Sequence, residues 1–411
     1  MAEMNGKEKI IDIVFFTVCA SIMLLLCWHL FYGQSVRLDG RYLSDMYAYV
    51  LYIQGVSVGL SFPYPVFFLT AKVIYKIFFR HHFLGPELGI AIATLLFYAL
   101  LILVVKYILN IILYEKIADA LGERKSIAGP VITVLSFSVL IVSMLYLPEG
   151  MRLPGISARY AGVSTPNPWH NATIIAARPF AILTFYAFYR LMQKFGDGGF
   201  KLKEYFFFSV SLFLLTMTKP SLVFVVSSVL ISVGRFVMSG CKGINRYFCL
   251  VLCYLPTVIA LLYQYLIVFS ADDTGETGIG FAPGRVWSAN CGNIPAAVIL
   301  GMCFPVAVLL FNLDALKGMF IYRFVWFQYI IAFLTAFFLY EKGFREADGN
   351  FFWGYMDAMF FCYGVSLIIL VKQGLQRKIN APVIIQWSIY FLHILCGGLY
   401  FADVLFGNLY V

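Results

Sequence analysis

Apolar runs of about 20 residues recur along almost the whole of this 411-residue chain. Each is long enough to cross a hydrocarbon core ~30 Å thick as an α-helix. Inside such a core every backbone N–H and C=O must be satisfied within the protein, which restricts the chain to helices or a closed barrel. The runs are too long and too continuous for the alternating pattern of a transmembrane barrel. Charged residues make up 12% of the chain and hydrophobic residues 62%, against roughly 25% charged in a soluble domain. The sequence therefore predicts an all-α polytopic helical membrane protein, with residues 1–411 forming a single integral membrane domain.

Charge sets the expected orientation. The net charge of +9 is carried by short loops between apolar runs, so it follows from membrane topology and does not imply a nucleic-acid partner. Lys7 and Lys9 place the N-terminus in the cytoplasm, and the first span, about 10–32, has no small-residue cleavage site and is read as retained. Basic residues recur in loops 113–126, 194–203, 239–246, 313–323 and 372–380. All five loops share the cytoplasmic side if residues 62–80, although apolar, do not cross and instead lie at the outer interface. The remaining spans run about 87–112, 127–147, 174–193, 204–217, 220–238, 247–270, 294–312, 324–340, 354–371 and 382–402. This gives about eleven transmembrane helices with the C-terminus outside. The cysteines show no CxxC spacing, so neither a disulfide framework nor a cysteine metal site is predicted.

Four polar segments then share the outer face: 34–85, 148–173, 271–293 and 341–353. The first carries Asp39 and Asp45, an aromatic run, the turn Phe62-Pro63-Tyr64-Pro65 and the basic residues Lys72, Lys76 and Arg80 on one helix face. By position alone Asp45 reads as a helix N-cap, and the basic residues as snorkelling anchors. Lys219 stands in the turn Thr216–Pro220 between two short apolar runs. In the second segment Arg159, Trp169 and His170 are candidates, and Arg178 begins a span, where a buried charge is costly. The sequence Asn171-Ala172-Thr173 matches an N-glycosylation acceptor but abuts a span and carries no expectation. The fourth segment brings Glu341, Arg345 and Asn350, followed by Asp357 one turn into the next span. Asp272, Asp273 and Glu276 leave a divalent metal open as an alternative, and no cofactor is otherwise implied.

The order of features in 34–85 resembles the first external loop of the GT-C glycosyltransferases, polytopic enzymes that use lipid-phosphate sugars. The residues that carry the resemblance are Asp45, Tyr47, Ala48, Gly55, Phe62-Pro63-Tyr64-Pro65 and Phe83-Leu84-Gly85. The chain departs from the pattern at Met46, where a second acid is common, and at Tyr64, which splits the double proline. The resemblance implies a catalytic Asp45, with Asp39 as the alternative. It implies lipid-phosphate contacts from Lys72, Arg80, Arg178 and Lys219, and substrate contacts from Arg159, Trp169, His170, Glu341, Arg345 and Asn350. The implied partners are a polyprenyl-phosphate-linked sugar, a glycan or glycolipid acceptor and membrane lipids. The implied setting is the bacterial inner (plasma) membrane, with the site on the outer face. An O-antigen-type polymerase or ligase and a lipid-linked oligosaccharide transporter are the alternatives. The first would draw on Arg152, Arg159 and Arg178, and the second would require charges near mid-membrane.

Overall fold

A computed structural model of the chain describes residues 6–36, 40–56, 61–146, 161–194, 201–239, 244–269, 278–376 and 380–408. The described residues are almost entirely helical, with one two-stranded antiparallel sheet. Among the described residues, eight helical stretches are long and apolar enough to cross a membrane. One of these, Gly85–Ile141, is two helices, α4 (Gly85–Leu121) and α5 (Ala128–Ile141), joined by a tight turn over Gly122–Ile127. The chain is thus an all-α, multi-pass membrane protein.

Helix α1 (Gly6–Val36) packs on α4 and α5, and α7 (Ala172–Lys194) lies between α4 and α8 (Leu202–Thr218). Helices α9 (Leu222–Met238) and α10 (Ile244–Phe269) follow, α10 packing on α8. Helix α14 (Phe320–Phe338) packs between α9 and α15 (Phe352–Gln376), while α12 (Ile294–Phe311) and α16 (Ala381–Leu405) close the other flank, and the short helices α6 (Ala161–Ser164), α11 (Arg285–Asn290) and α13 (Leu313–Gly318) lie in the connections. Lipid-facing helices keep large apolar side chains exposed, as Ile10, Leu25, Val251 and Ile259 do. The central α15 is buried over most of its length.

The basic loops gather at one end of the bundle. Lys125 pairs with Glu8 at 3.4 Å, and Arg235 donates to the carbonyl of Met192 at 2.8 Å. Tyr205 donates to the carbonyl of Arg246 at 3.3 Å, and Arg235 stacks over the Phe320 ring at 5.2 Å. The opposite end collects the polar segments, with the backbone N–H of Tyr42 meeting Gly407 and that of Asp45 meeting His170.

Helix α3 (Pro65–Phe78) has 14 residues, about 21 Å, which is shorter than a hydrocarbon core of ~30 Å. It returns along the first third of α4, where the glycines Gly85 and Gly89 leave room for Tyr75 and the Ala71 carbonyl. Helix α4 has 37 residues, about 55 Å at 1.5 Å per residue, so it is long enough to span a bilayer and still extend beyond it to carry α3.

Helix α5 stops at Ile141, shorter than the 127–147 predicted, and the chain continues extended through 142–146. The extended piece is threaded between two helices: Leu145 N–H donates to Leu300 at 2.9 Å and Ser143 N–H to His393 at 3.3 Å. Gly397 permits this, because a Cβ there would stand 2.0 Å from the Ile141 carbonyl oxygen.

Near the basic end, Lys106 donates to Asp12 at 2.8 Å and to the Gly129 carbonyl at 2.7 Å, tying α1, α4 and α5 together. Both charges are buried, so losing one leaves the other unpaired. Lys106→Met is expected to destabilise the protein by roughly 3–5 kcal/mol, and Asp12→Leu combined with Lys106→Met to recover most of that. Unfolding titrations of the single and double variants in mixed micelles measure the difference.

Candidate functional site

The polar end is organised around Asn171, which precedes α7. Its side-chain oxygen accepts from the Ile174 N–H at 3.0 Å and so caps the helix. The same oxygen accepts from the Thr173 hydroxyl at 2.7 Å and from Lys219 Nζ at 3.5 Å. Its amide nitrogen donates to Asp45 Oδ2 and to the Tyr49 hydroxyl. Lys219 also donates to Thr173 Oγ1 at 2.8 Å and lies over the Trp353 ring at 4.6 Å. One amide thus connects the acid before α2 (Met46–Gln54) to the cation in the α8–α9 turn.

Electrostatics follow from burial. Desolvation pushes the Asp45 carboxyl above its ordinary value, opposed by Lys219 and by the hydrogen bonds from Asn171 and Tyr49. Desolvation likewise lowers Lys219 to about 8, opposed by Asp45 and Asp357. His170, 5.6 Å from the Trp353 ring, is brought down to about 3 by burial and by the Lys219 charge. It is therefore a neutral imidazole near pH 7 and a weak base.

Beside this cluster lies a cavity of about 490 Å³, within the ~300–1,000 Å³ of small-molecule sites. Its polar wall contains Tyr64, Lys219, Glu341, Arg345, Trp353 and Asp357. Arg345 pairs with Glu341 at 3.2 Å and Asp348 at 3.3 Å, and Asn350 donates to Glu341 at 2.8 Å. Desolvation raises Glu341, with Arg345 opposing. Strands β1 (Gly278–Phe281) and β2 (Leu339–Lys342) run antiparallel, pairing Ile279 with Glu341, and Ile279 also lines the cavity. The opposite wall is mostly apolar and comes largely from α10, which also contributes Gln264. Leu262 and Tyr265 on that wall are 58% and 47% exposed, so the cavity borders the side of the bundle that faces lipid. Asp357 also receives two hydrogen bonds from Arg178, at 3.2 and 3.1 Å, and Arg178 donates to Asn167 at 3.1 Å.

The residues singled out by sequence separate into groups. Lys219, Glu341, Arg345 and Asn350 meet at the cavity, Asp45 stands behind Lys219, and His170 stands against Trp353. Arg178 sits beneath, as the partner of Asp357. Lys72 and Arg80 are exposed and do not line the cavity. Trp169 is buried against Tyr98 and Phe401, with ring centroids at 5.6 and 4.6 Å, and the aromatic face at the cavity belongs to Trp353. Asp39 and Arg159 lie outside the described residues, as do Arg152, Asp272, Asp273 and Glu276. Among the described residues no three His, Cys, Asp or Glu side chains gather as a metal site.

Sequence reading missed Asn171 and Thr173. The glycosylation pattern pointed away from the site, whereas a capping residue before an apolar run was the usable signal. Asn171 is 2% exposed, with its amide committed to Asp45 and Tyr49.

No family model matches the chain, and neither a curated protein nor a solved structure matches it.

Asn171→Ala removes a helix cap and the bridge to Asp45. The expected cost is about 1–3 kcal/mol in unfolding free energy. The expected electrostatic signature is a further rise of the Asp45 pKa, read by infrared titration of the carboxyl stretch against Asp45→Asn as the blank.

Proposed function

We propose that the protein is a glycosyltransferase that moves a sugar from a polyprenyl-phosphate carrier to a glycan or glycolipid acceptor. The observation that carries this reading is the cavity itself. It joins the buried cation Lys219 and the guanidinium of Arg345 to an apolar wall bordering lipid, next to an acid of raised pKa. An anionic lipid with a polar head fits such a cavity, its phosphate against the cations and its chain along α10. The likeness of segment 34–85 to the first external loop of GT-C enzymes supports the same reading.

The topology proposed with it has about eleven spans. Helices α8 and α9, of 17 residues each, cross as a pair with Lys219 at the outer turn. The end that gathers the basic loops is cytoplasmic by the distribution of Lys and Arg. The N-terminus is then cytoplasmic and the cavity faces outward. A compact chain of this kind suits the inner membrane of a bacterium and the building of surface polysaccharide.

In the reaction the acceptor oxygen attacks the anomeric carbon and forms the new C–O bond as the bond from that carbon to the phosphate oxygen breaks. The proton leaves the acceptor hydroxyl for the Asp45 carboxylate, which stands behind Lys219 and outside the cavity lining, so the acceptor approaches from the Lys219 end. The electron pair of the broken bond stays on the lipid phosphate, where Lys219 and Arg345 stabilise the added charge. Asn171 holds Asp45 and Lys219 in fixed relation, and His170, neutral, serves as a packing and hydrogen-bonding group.

In liposomes supplied with polyprenyl-phosphate sugar and acceptor, Asp45→Asn is expected to lower kcat by about 10²–10⁴-fold with little change in KM. Full activity in that variant would remove Asp45 as the base.

The pH profile gives an independent check. Asp45 must be ionised to act, so activity falls as pH drops through its raised pKa and the acid limb lies above the ordinary carboxylate range. Lys219 must be charged, so activity falls as pH rises through about 8. Lys219→Arg is expected to carry the alkaline limb upward, measured as kcat/KM against pH.

A further inference from the structure

The cavity holds two polar side chains that neither the phosphate nor an isoprenoid chain would engage. Gln264 on α10 and Gln328 on α14 both line it and are 3% and 2% exposed. The side-chain oxygen of each is buried without a hydrogen-bond partner. For Gln264 the orientation of the amide is fixed, because its nitrogen donates to the Thr216 carbonyl at 2.9 Å, so the atom left over is a carbonyl acceptor. Thr216 lies one turn before Lys219, which puts Gln264 just beneath the cation. Gln328 lies farther in, two turns of α14 below Thr335 on the same face, and Thr335 also lines the cavity.

An unpaired buried acceptor is costly, and a cavity meant only for hydrocarbon would gain by replacing both glutamines with leucine. Two such buried amides with an unpaired end, Gln264 presenting an acceptor, lie beneath a cation and call for a ligand that brings hydroxyls below its anionic group. We infer that the transferred sugar enters this cavity below its phosphate and that Gln264 and Gln328 read its hydroxyls, which makes them the residues that choose the sugar. The inference rests on the donor assignment made above. The lipid chain leaves sideways along α10, and the sugar occupies the interior between α10, α14 and α15 that Gln264, Gln328 and Asp357 line.

This arrangement sets an energetic rule. A sugar that lacks the matching hydroxyl leaves a buried acceptor unpaired and is rejected, whereas the phosphate and lipid contribute the same binding to every donor.

The test is titration calorimetry on the purified full-length protein. The probes are farnesyl phosphate alone and a panel of farnesyl-phosphate-linked hexoses and pentoses. Wild type is expected to bind at least one glycosylated probe about tenfold or more tighter than farnesyl phosphate. Gln264→Leu and Gln328→Leu are expected to bring that ratio close to one while farnesyl phosphate binds as before. Retained binding of farnesyl phosphate also reports that a variant is folded. Should a leucine variant fail to fold, Gln264→Met and Gln328→Met take its place. A wild type that binds farnesyl phosphate without preference for any sugar overturns the inference and leaves the donor reading intact. An undiminished preference in the variants does the same. Absence of farnesyl phosphate binding in wild type, or binding unaffected by Lys219→Met, overturns the donor reading and the inference with it.

Discussion

The hydrogen-bonding capacity of one buried amide holds the polar end of this protein together. Asn171 has two donors and one strong acceptor oxygen, and every one of them is engaged. The oxygen caps α7, receives the Thr173 hydroxyl and faces Lys219, while the nitrogen serves Asp45 and Tyr49. An acid and a cation separated by this amide are held near each other without collapsing into a direct ion pair. Both keep the cost of burial, visible in the raised carboxyl and the lowered ammonium pKa. Groups held in that state are sensitive to any charge or proton that arrives beside them.

The helix bundle gives this end its shape. The α3 segment folds back on the overlong α4, freeing Tyr64 to reach the cavity. The extended piece after α5 brings the chain across to α12 and α16 through the backbone hydrogen bonds of Leu145 and Ser143. Arg178 and Asp357 bind α7 to α15 directly below the cavity, a buried pair whose cost is met by mutual hydrogen bonding and by Asn167. The strand pair adds a rim, with Ile279 against Glu341. A cavity bordered on one side by lipid-facing α10 and on the other by charge is the outcome.

Several parts of this were legible in the residues. Lys219 stood out as a charge between two short apolar runs, and Glu341, Arg345 and Asn350 as dense polarity between two spans. Counting Lys and Arg in the loops set 62–80 apart from the other apolar runs, and α3 is a 14-residue helix packed along the start of α4. Lys72 and Arg80 looked equivalent to Lys219 in sequence, since each is a cation beside apolar residues. Their difference is one of direction, because α3 buries Phe67, Ala71 and Ile74 and turns its lysines outward, while Arg80, expected on the same helix face, lies beyond the helix end at Phe78. Trp169 read in sequence as a substrate contact, but packing puts it among Tyr98 and Phe401, and the ring over Lys219 is that of Trp353.

The sequence by itself determined the class of the molecule. Hydrocarbon demands long apolar segments that satisfy their own backbone, a pattern that is local and readable. It also determined where polar residues concentrate along the chain. The tertiary structure alone decided which of them meet. Asn171 touches Asp45 across 126 positions and Lys219 across 48, and Gln264 and Gln328 reach one cavity from different helices. Such meetings depend on the rotation and depth at which helices pack, and an apolar helix in lipid carries little periodic pattern to fix either one.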